Sequence, residues 1–128
     1  MKEETKLWVD KAEEDFDNAL YNFRGHRYGI TAFLCQQALE KIIKAVIVEV
    51  VNKRPAKSHD LIKLAKDANL TDKMPKKWLP ELRSLTQYYF LVRYPDIGKK
   101  FFTTPKIAKE VLGLLKEIYP WVKGRLKK

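Results

Sequence analysis

The sequence predicts one all-α domain over residues 1–128, an up-down bundle of four main helices with one additional short helix. Three observations carry that expectation. Apolar residues recur at steps of three and four along the long segments, glycine and proline signals separate those segments, and no stretch alternates strictly between apolar and polar as a half-buried strand would. The chain's 128 residues, 45% hydrophobic and 33% charged, are enough for one core that buries roughly two-thirds of the unfolded surface. Five Gly, six Pro and the lack of repeats exclude fibrous and disordered classes.

The first helix is expected over 6–24, where Trp8, Ala12, Phe16, Ala19, Leu20 and Phe23 line one face. Acidic residues crowd its first half, where the positive end of the helix dipole favours them, and Gly25 is a natural left-handed stop. A longer second helix should run from about Tyr28 to Asn52. From Ala38 to Val51, ten of fourteen residues are apolar, while Gln36, Gln37, Glu40, Lys41 and Lys44 fall in one polar sector. So little polar surface places this helix at the centre of its bundle or against a second subunit. The β-branched run Val46–Val51 is also compatible with a strand, but no turn signal separates it from the helical pattern.

Arg54-Pro55 should break the second helix. Ser58 is the expected cap of a short third helix that contains His59, Asp60, Leu61 and Leu64 and ends near Asn69. Residues 70–77 read as a loop, with Pro75 and Pro80 bracketing the start of the fourth helix. Leu82, Leu85, Tyr89 and Val92 share a face there, and Arg93-Tyr94-Pro95-Asp96-Ile97-Gly98 ends it, since a residue before proline avoids helical geometry. Thr104 and Pro105 open the last helix as N-cap and first-turn proline. Ile107, Val111, Leu114, Ile118 and Val122 form its apolar face, and Pro120 should kink its final turn.

Charge is distributed unevenly. The net charge is +10, yet residues 1–25 carry −3 and residues 26–128 carry +13. Such a basic body suits an anionic partner, whether RNA, nucleotide or acidic protein, and equally serves solubility. From Lys99 to Lys128 the net charge is +7, with Tyr119 and Trp121 interleaved among the cations; this end suits either base stacking or a solvated helix terminus. The single cysteine, Cys35, lies in an apolar run and excludes an internal disulfide or a multi-thiolate zinc site. No leader-like apolar stretch opens the chain and no membrane-spanning run occurs, so the cytoplasm is the expected compartment. Abundant Lys with few Asn and Gln leans toward a thermophilic source.

Motifs for nucleotide loops, serine hydrolysis and zinc hydrolysis are missing from the sequence. With only His26 and His59 present, and no Glu-x-x-His pair, neither a metal nor a cofactor is expected.

Several short motifs do stand in order. Trp8 precedes Ala12-Glu13-Glu14-Asp15 and Ala19; Tyr28 and Phe33 precede Gln36-Gln37-Ala38-Leu39-Glu40-Lys41 and Lys44. Ser58-His59-Asp60-Leu61 with Leu64 follows, then Tyr89 with Arg93-Tyr94-Pro95-Asp96. In this order and spacing the chain resembles the HEPN family, small helical domains of prokaryotes that also occur within larger eukaryotic proteins. The resemblance implies a homodimeric bundle, often encoded beside a small nucleotidyltransferase as a toxin–antitoxin pair. Many relatives are metal-independent RNases whose signature is an Arg followed four to six residues later by His. Arg93 occupies the Arg position, but residues 94–100 contain no His.

The candidate anion- or nucleotide-binding residues are therefore Arg93, Tyr94 and Asp96, helped by His59, Asp60, Gln37, Glu40 and Lys44. Arg93 and His59 are also the candidate catalytic pair, His59 replacing the missing downstream base. Each position has a plainer reading. Arg93 can cap a helix end or pair with Asp96, and Tyr94 can pack on Pro95. His59 and Asp60 can serve the third helix, and Glu40 and Lys44 can form an ordinary i,i+4 pair. Three functions remain on this reading: a nucleotide- or RNA-binding dimer partnered by a nucleotidyltransferase, a metal-independent RNase, and a non-catalytic interaction module.

Overall fold

A computed structural model describes residues 1–94 and 103–127, and every regular element among them is helical. Helix α1 spans Glu3–Arg24 and α2 spans Tyr28–Val46, continuing through one π-helical turn, Ile47–Val51. The short helices α3 (Leu61–Asp67), α4 (Trp78–Thr86) and α5 (Tyr88–Leu91) follow, and α6 spans Pro105–Gly124. Four expected helices and the short extra one are all present; the fourth is divided at Gln87. The division has a local cause. Thr86 Oγ1 donates to the Leu82 carbonyl and accepts from the Leu61 N–H, so its hydroxyl competes with the helix ladder and ties α4 to the start of α3.

Helix α2 is the central element, packed on α1, α3, α4, α5 and α6. Ala32, Cys35, Ala38, Leu39, Ile42, Ile43 and Ala45 are fully buried. The broad apolar circumference is thus covered within the domain and does not form a free face for a second subunit, as the alternative reading had it. Cys35 behaves as a small apolar side chain there, its thiol pushed up to about 12 by burial. The β-branched run Ile47–Val51 stays helical in the wider π form, and Asn52, at φ 60°, closes it three residues ahead of Pro55.

Helix α1 starts at Glu3, ahead of the expected residue 6, α3 ends at Asp67 ahead of Asn69, and two caps differ in detail. Gly25 caps α1 with φ −83°, and the left-handed residue is His26 at φ 62°; the glycine's special freedom is not what ends this helix. The cap of α3 is Asp60 and not Ser58. Asp60 Oδ1 accepts the N–H groups of Ile62 and Lys63, while Ser58 Oγ accepts the Asp60 N–H one step earlier. At α6 the expectation holds, with Thr104 accepting the Ile107 N–H and Pro105 in the first turn; the helix continues through Pro120.

The two ends of the domain are clasped together. Tyr119 Oη on α6 donates to Glu13 on α1 at 2.7 Å, its ring lies edge-on to Phe16, and Lys123 pairs with the same carboxylate. Burial first, then the bond to Glu13, raises the Tyr119 phenol above its usual range, so it stays a donor.

One buried carboxylate is poorly served. Asp15 is 3% exposed; Oδ1 lies 3.4 Å from Lys11, and Oδ2 has no hydrogen-bond partner among the described residues. Burial raises its pKa by more than Lys11 and Lys41 lower it. A raised carboxyl stabilises the fold fully only below its unfolded value of about 4, and that contribution is lost as pH rises through the folded value.

These groups generate two stability predictions. Asp15→Asn should raise the melting temperature at pH 7, with the gain shrinking toward zero below about pH 4; a loss at pH 7 would mean the Lys11 pair outweighs burial. Asp60→Ala should cost about 1 kcal/mol in urea unfolding, through the lost helix cap, and Ser58→Ala less than half of that.

Candidate functional site

The polar sector of α2 is not a solvated face. Gln36, Glu40 and Lys44 are 0%, 2% and 6% exposed, forming a seam inside an otherwise apolar helix. A carboxylate removed from water to this extent must be compensated by nearby cations and donors. Glu40 has several. Lys44 Nζ lies 3.1 Å from Oε2 and Lys41 Nζ 3.5 Å; Gln36 Nε2 donates to Oε1 at 3.2 Å, and His59 Nδ1 lies 2.9 Å from the same oxygen. Burial pushes the Glu40 carboxyl up, but Lys41, the His59 hydrogen bond and Lys44 together outweigh it and hold the pKa below the ordinary value. The group is therefore a carboxylate at neutral pH.

The seam also places His59. Gln36 Nε2 donates to the His59 carbonyl at 3.0 Å, fixing the backbone ahead of α3, while Gln37 donates to Gln36 at 2.6 Å and accepts from Lys41 at 2.8 Å. Since ionised Glu40 can only accept, Nδ1 carries the proton of this hydrogen bond, and the tautomer it selects has its lone pair on Nε2. Nε2 has no partner among the described residues, and the side chain is 36% exposed. His59 precedes the Asp60 cap and lies in the loop, not inside the third helix as expected.

Tyr89 connects this pair to Arg93. The imidazole stacks on the Tyr89 ring with centroids 3.5 Å apart and planes 13° from parallel. The Arg93 guanidinium lies 4.8 Å from the centroid of the same ring and donates to the Tyr89 hydroxyl. Phe33 stacks on Tyr89 from α2 at 6.0 Å. Arg93 is exposed and makes no ion pair among the described residues. Phe90 and Tyr94, each 46% exposed, lie close to it along the chain.

The structure thus brings Arg93, His59, Glu40, Lys44 and Gln37 into one connected row. Asp60 stands beside it, with its oxygen engaged in the α3 cap, and Asp96 lies outside the described residues. Lys44 is interior, with its ammonium 5.4 Å from the Trp8 ring centroid as well as against Glu40. Sequence reasoning missed Tyr89 as a site residue and assigned it to the apolar face of its helix. The available signal was its i,i+4 spacing to Arg93, which sets a guanidinium over a ring. It also missed Gln36, a fully buried amide that a wholly polar sector concealed. Among the described residues no cluster of three or more His, Cys, Asp or Glu gathers at metal-binding distance, and no helix is long and apolar enough to cross a membrane.

A helical bundle in which a buried carboxylate orients an imidazole, and one tyrosine ring carries both that imidazole and an exposed arginine, is the arrangement these residues form. Comparison makes the class particular: residues 5–125 match the HEPN domain, and the chain belongs to that family. It is 27% identical over 96 residues to the protein of Methanocaldococcus jannaschii named "Putative toxin MJ1304", covering 71% of this chain and 63% of that relative. The chain thus spans less than two thirds of that relative's length. In three dimensions it is similar to ST0689, an archaeal HEPN homologue (27% identity, TM-score 0.76, 99% of this chain and all of that one). It also shares the fold of TT1696 from Thermus thermophilus (22% identity, TM-score 0.82, 97% of this chain and 99% of that one).

The buried seam makes a further prediction. Glu40→Ala should cost about 3–5 kcal/mol in urea unfolding, because Lys44 is left charged and unpaired in the interior. Glu40's contribution is fully present above its unfolded pKa, near 4, and is lost as pH falls through the lower folded value. The gap between Glu40→Ala and wild type should therefore narrow in acid; a constant gap from pH 7 to pH 3 would contradict the assignment.

Proposed function

We propose that this HEPN protein binds the phosphate of a nucleotide or RNA at the Arg93–Tyr89–His59 row. In this reading it acts as a homodimer in a toxin–antitoxin-type pair with a small nucleotidyltransferase. The observation that carries the reading is the shared Tyr89 ring, against which an exposed guanidinium and a Glu40-oriented imidazole both rest. Arg93 supplies charge and fork-shaped donors for phosphate oxygens, and the exposed Phe90 and Tyr94 supply faces on which a base can stack. The toxin-named relative supports the pairing, and the net charge of +10 supports attraction of a polyanion.

A second reading is favoured by the Glu40–His59 pair itself. A carboxylate that fixes Nδ1–H leaves Nε2 as a base, the arrangement needed to remove the proton from a ribose 2′-OH as that oxygen bonds to the adjacent phosphorus; the P–O5′ bond breaks, giving a 2′,3′-cyclic phosphate and a 5′-hydroxyl that takes its proton from water. Arg93 would stabilise the charge developing on that phosphate. Neither step uses a metal.

Fluorescence titration with AMP, ATP and short oligoribonucleotides over a salt series tests the binding. Affinity for single strands should fall with log salt at a slope of about −0.7 per phosphate contacted, and Arg93→Ala should weaken binding at least tenfold. Absence of binding to every ligand at low salt would overturn the proposal. The RNase reading expects cleavage of RNA in EDTA that both His59→Ala and Arg93→Ala abolish; cleavage that survives His59→Ala would reject His59 as the base.

A further inference from the structure

We infer that the groove between α3 and α4 is a docking site for an acidic amphipathic helix of a protein partner. The groove encloses about 450 Å3, and its floor is made by Ile62 of α3, Met74 of the connecting turn and Leu79 of α4. Lys66, Lys76 and Arg83 stand around that floor, with Asp72 the one carboxylate among the lining residues.

Two lysines close by are already paired. Lys63, three residues before Lys66, pairs with Asp67 at 3.2 Å, and Lys77, next to Lys76, lies 3.8 Å from Glu117. Lys66, Lys76 and Arg83 make no ion pair among the described residues. Nor does the basic charge simply spread over α4. Its other flank presents Glu81 to a separate groove against α6, shared with Glu110 and Glu117. Three cations against the one carboxylate of Asp72 around an apolar floor complement an anionic occupant that covers it.

The shape and chemistry of the lining select the occupant. Ile62 and Lys66 on α3 and Leu79 and Arg83 on α4 are each four residues apart, so each wall is about 6 Å long at 1.5 Å per residue, a little over one helical turn. Anchors at i and i+3/i+4 of a partner helix fit that length. The floor is aliphatic with one thioether, which adapts to branched apolar side chains. The lining holds no aromatic ring on which a nucleic-acid base could stack. The net charge of +10 steers an acidic partner toward the surface as a whole, and the three unpaired cations give it a register.

The test uses the full chain and a fluorescein-labelled helix-forming peptide of about 16 residues. Leu occupies its i, i+3 and i+4 positions and Glu the flanks. Anisotropy should show saturable binding that weakens at least tenfold in Lys76→Glu/Arg83→Glu and in Leu79→Glu. Arg93→Ala should leave it unchanged, which keeps a failure here separate from a failure of the phosphate reading. Circular dichroism confirms that each variant is folded. Equal affinity of wild type and the charge-reversed variant overturns the inference, as does the absence of saturable binding. Displacement of the peptide by oligoadenylate RNA at the same residues would assign the groove to nucleic acid instead. Self-association that only the charge-reversed variant lacks would assign it to a second copy.

Discussion

A single ionised carboxylate buried in the central helix organises one end of this domain. Left alone, Glu40 at 2% exposure would cost several kcal/mol, since its lost hydration is not otherwise replaced. Two lysines and two glutamines on α2 answer that demand from within one helical turn. The fifth partner, His59, must come from elsewhere in the chain. That requirement draws in the segment ahead of α3, and the Gln36 bond to the His59 carbonyl fixes it there. Tyr89 then stacks on the imidazole, which sets the position of α5 and of the arginine that follows.

The chain of contacts explains why a family signature can be incomplete here and the arrangement remain chemically coherent. Residues 94–100 offer no imidazole after Arg93, but the fold presents one from a loop some thirty residues earlier. What positions that imidazole is a core carboxylate, not a neighbour on the surface. Substitutions in the seam would therefore disturb both packing and the proposed chemistry, whereas substitutions at Arg93 touch only the exposed edge.

Much of this was legible in the residues. The 3.6-residue periodicity of α1 and α6 and the Thr104-Pro105 cap reflect local rules that tertiary packing did not override. The broad apolar circumference of α2 allowed a central position or a second subunit, and packing within the domain takes up the first. Termini were less legible, because the competing signals are nearly equal in energy. Ser58 and Asp60 both offer a capping oxygen, and only the path of the preceding loop decides that Asp60 meets the Ile62 and Lys63 donors. Likewise His26 takes the left-handed position beside a glycine better suited to it, and its ring nitrogen is hydrogen bonded to the Tyr28 hydroxyl at 2.7 Å. The site was half visible. Glu40, Lys44 and Gln37 read as a stripe, but periodicity cannot say whether a stripe faces water or the interior. Tyr89 was hidden because an aromatic residue on an apolar helix face looks like core until the ring stacked on it is known.

The solitary cysteine also turns the domain into its own chronometer. Cys35 is fully buried on α2 with its thiol held in the protonated form. Alkylating reagents can reach it only in molecules whose central helix has come away from its neighbours, so the labelling rate counts those openings directly. Ligands that seal the bundle would slow that clock without touching the sulfur, giving a readout of occupancy that needs no knowledge of what has bound.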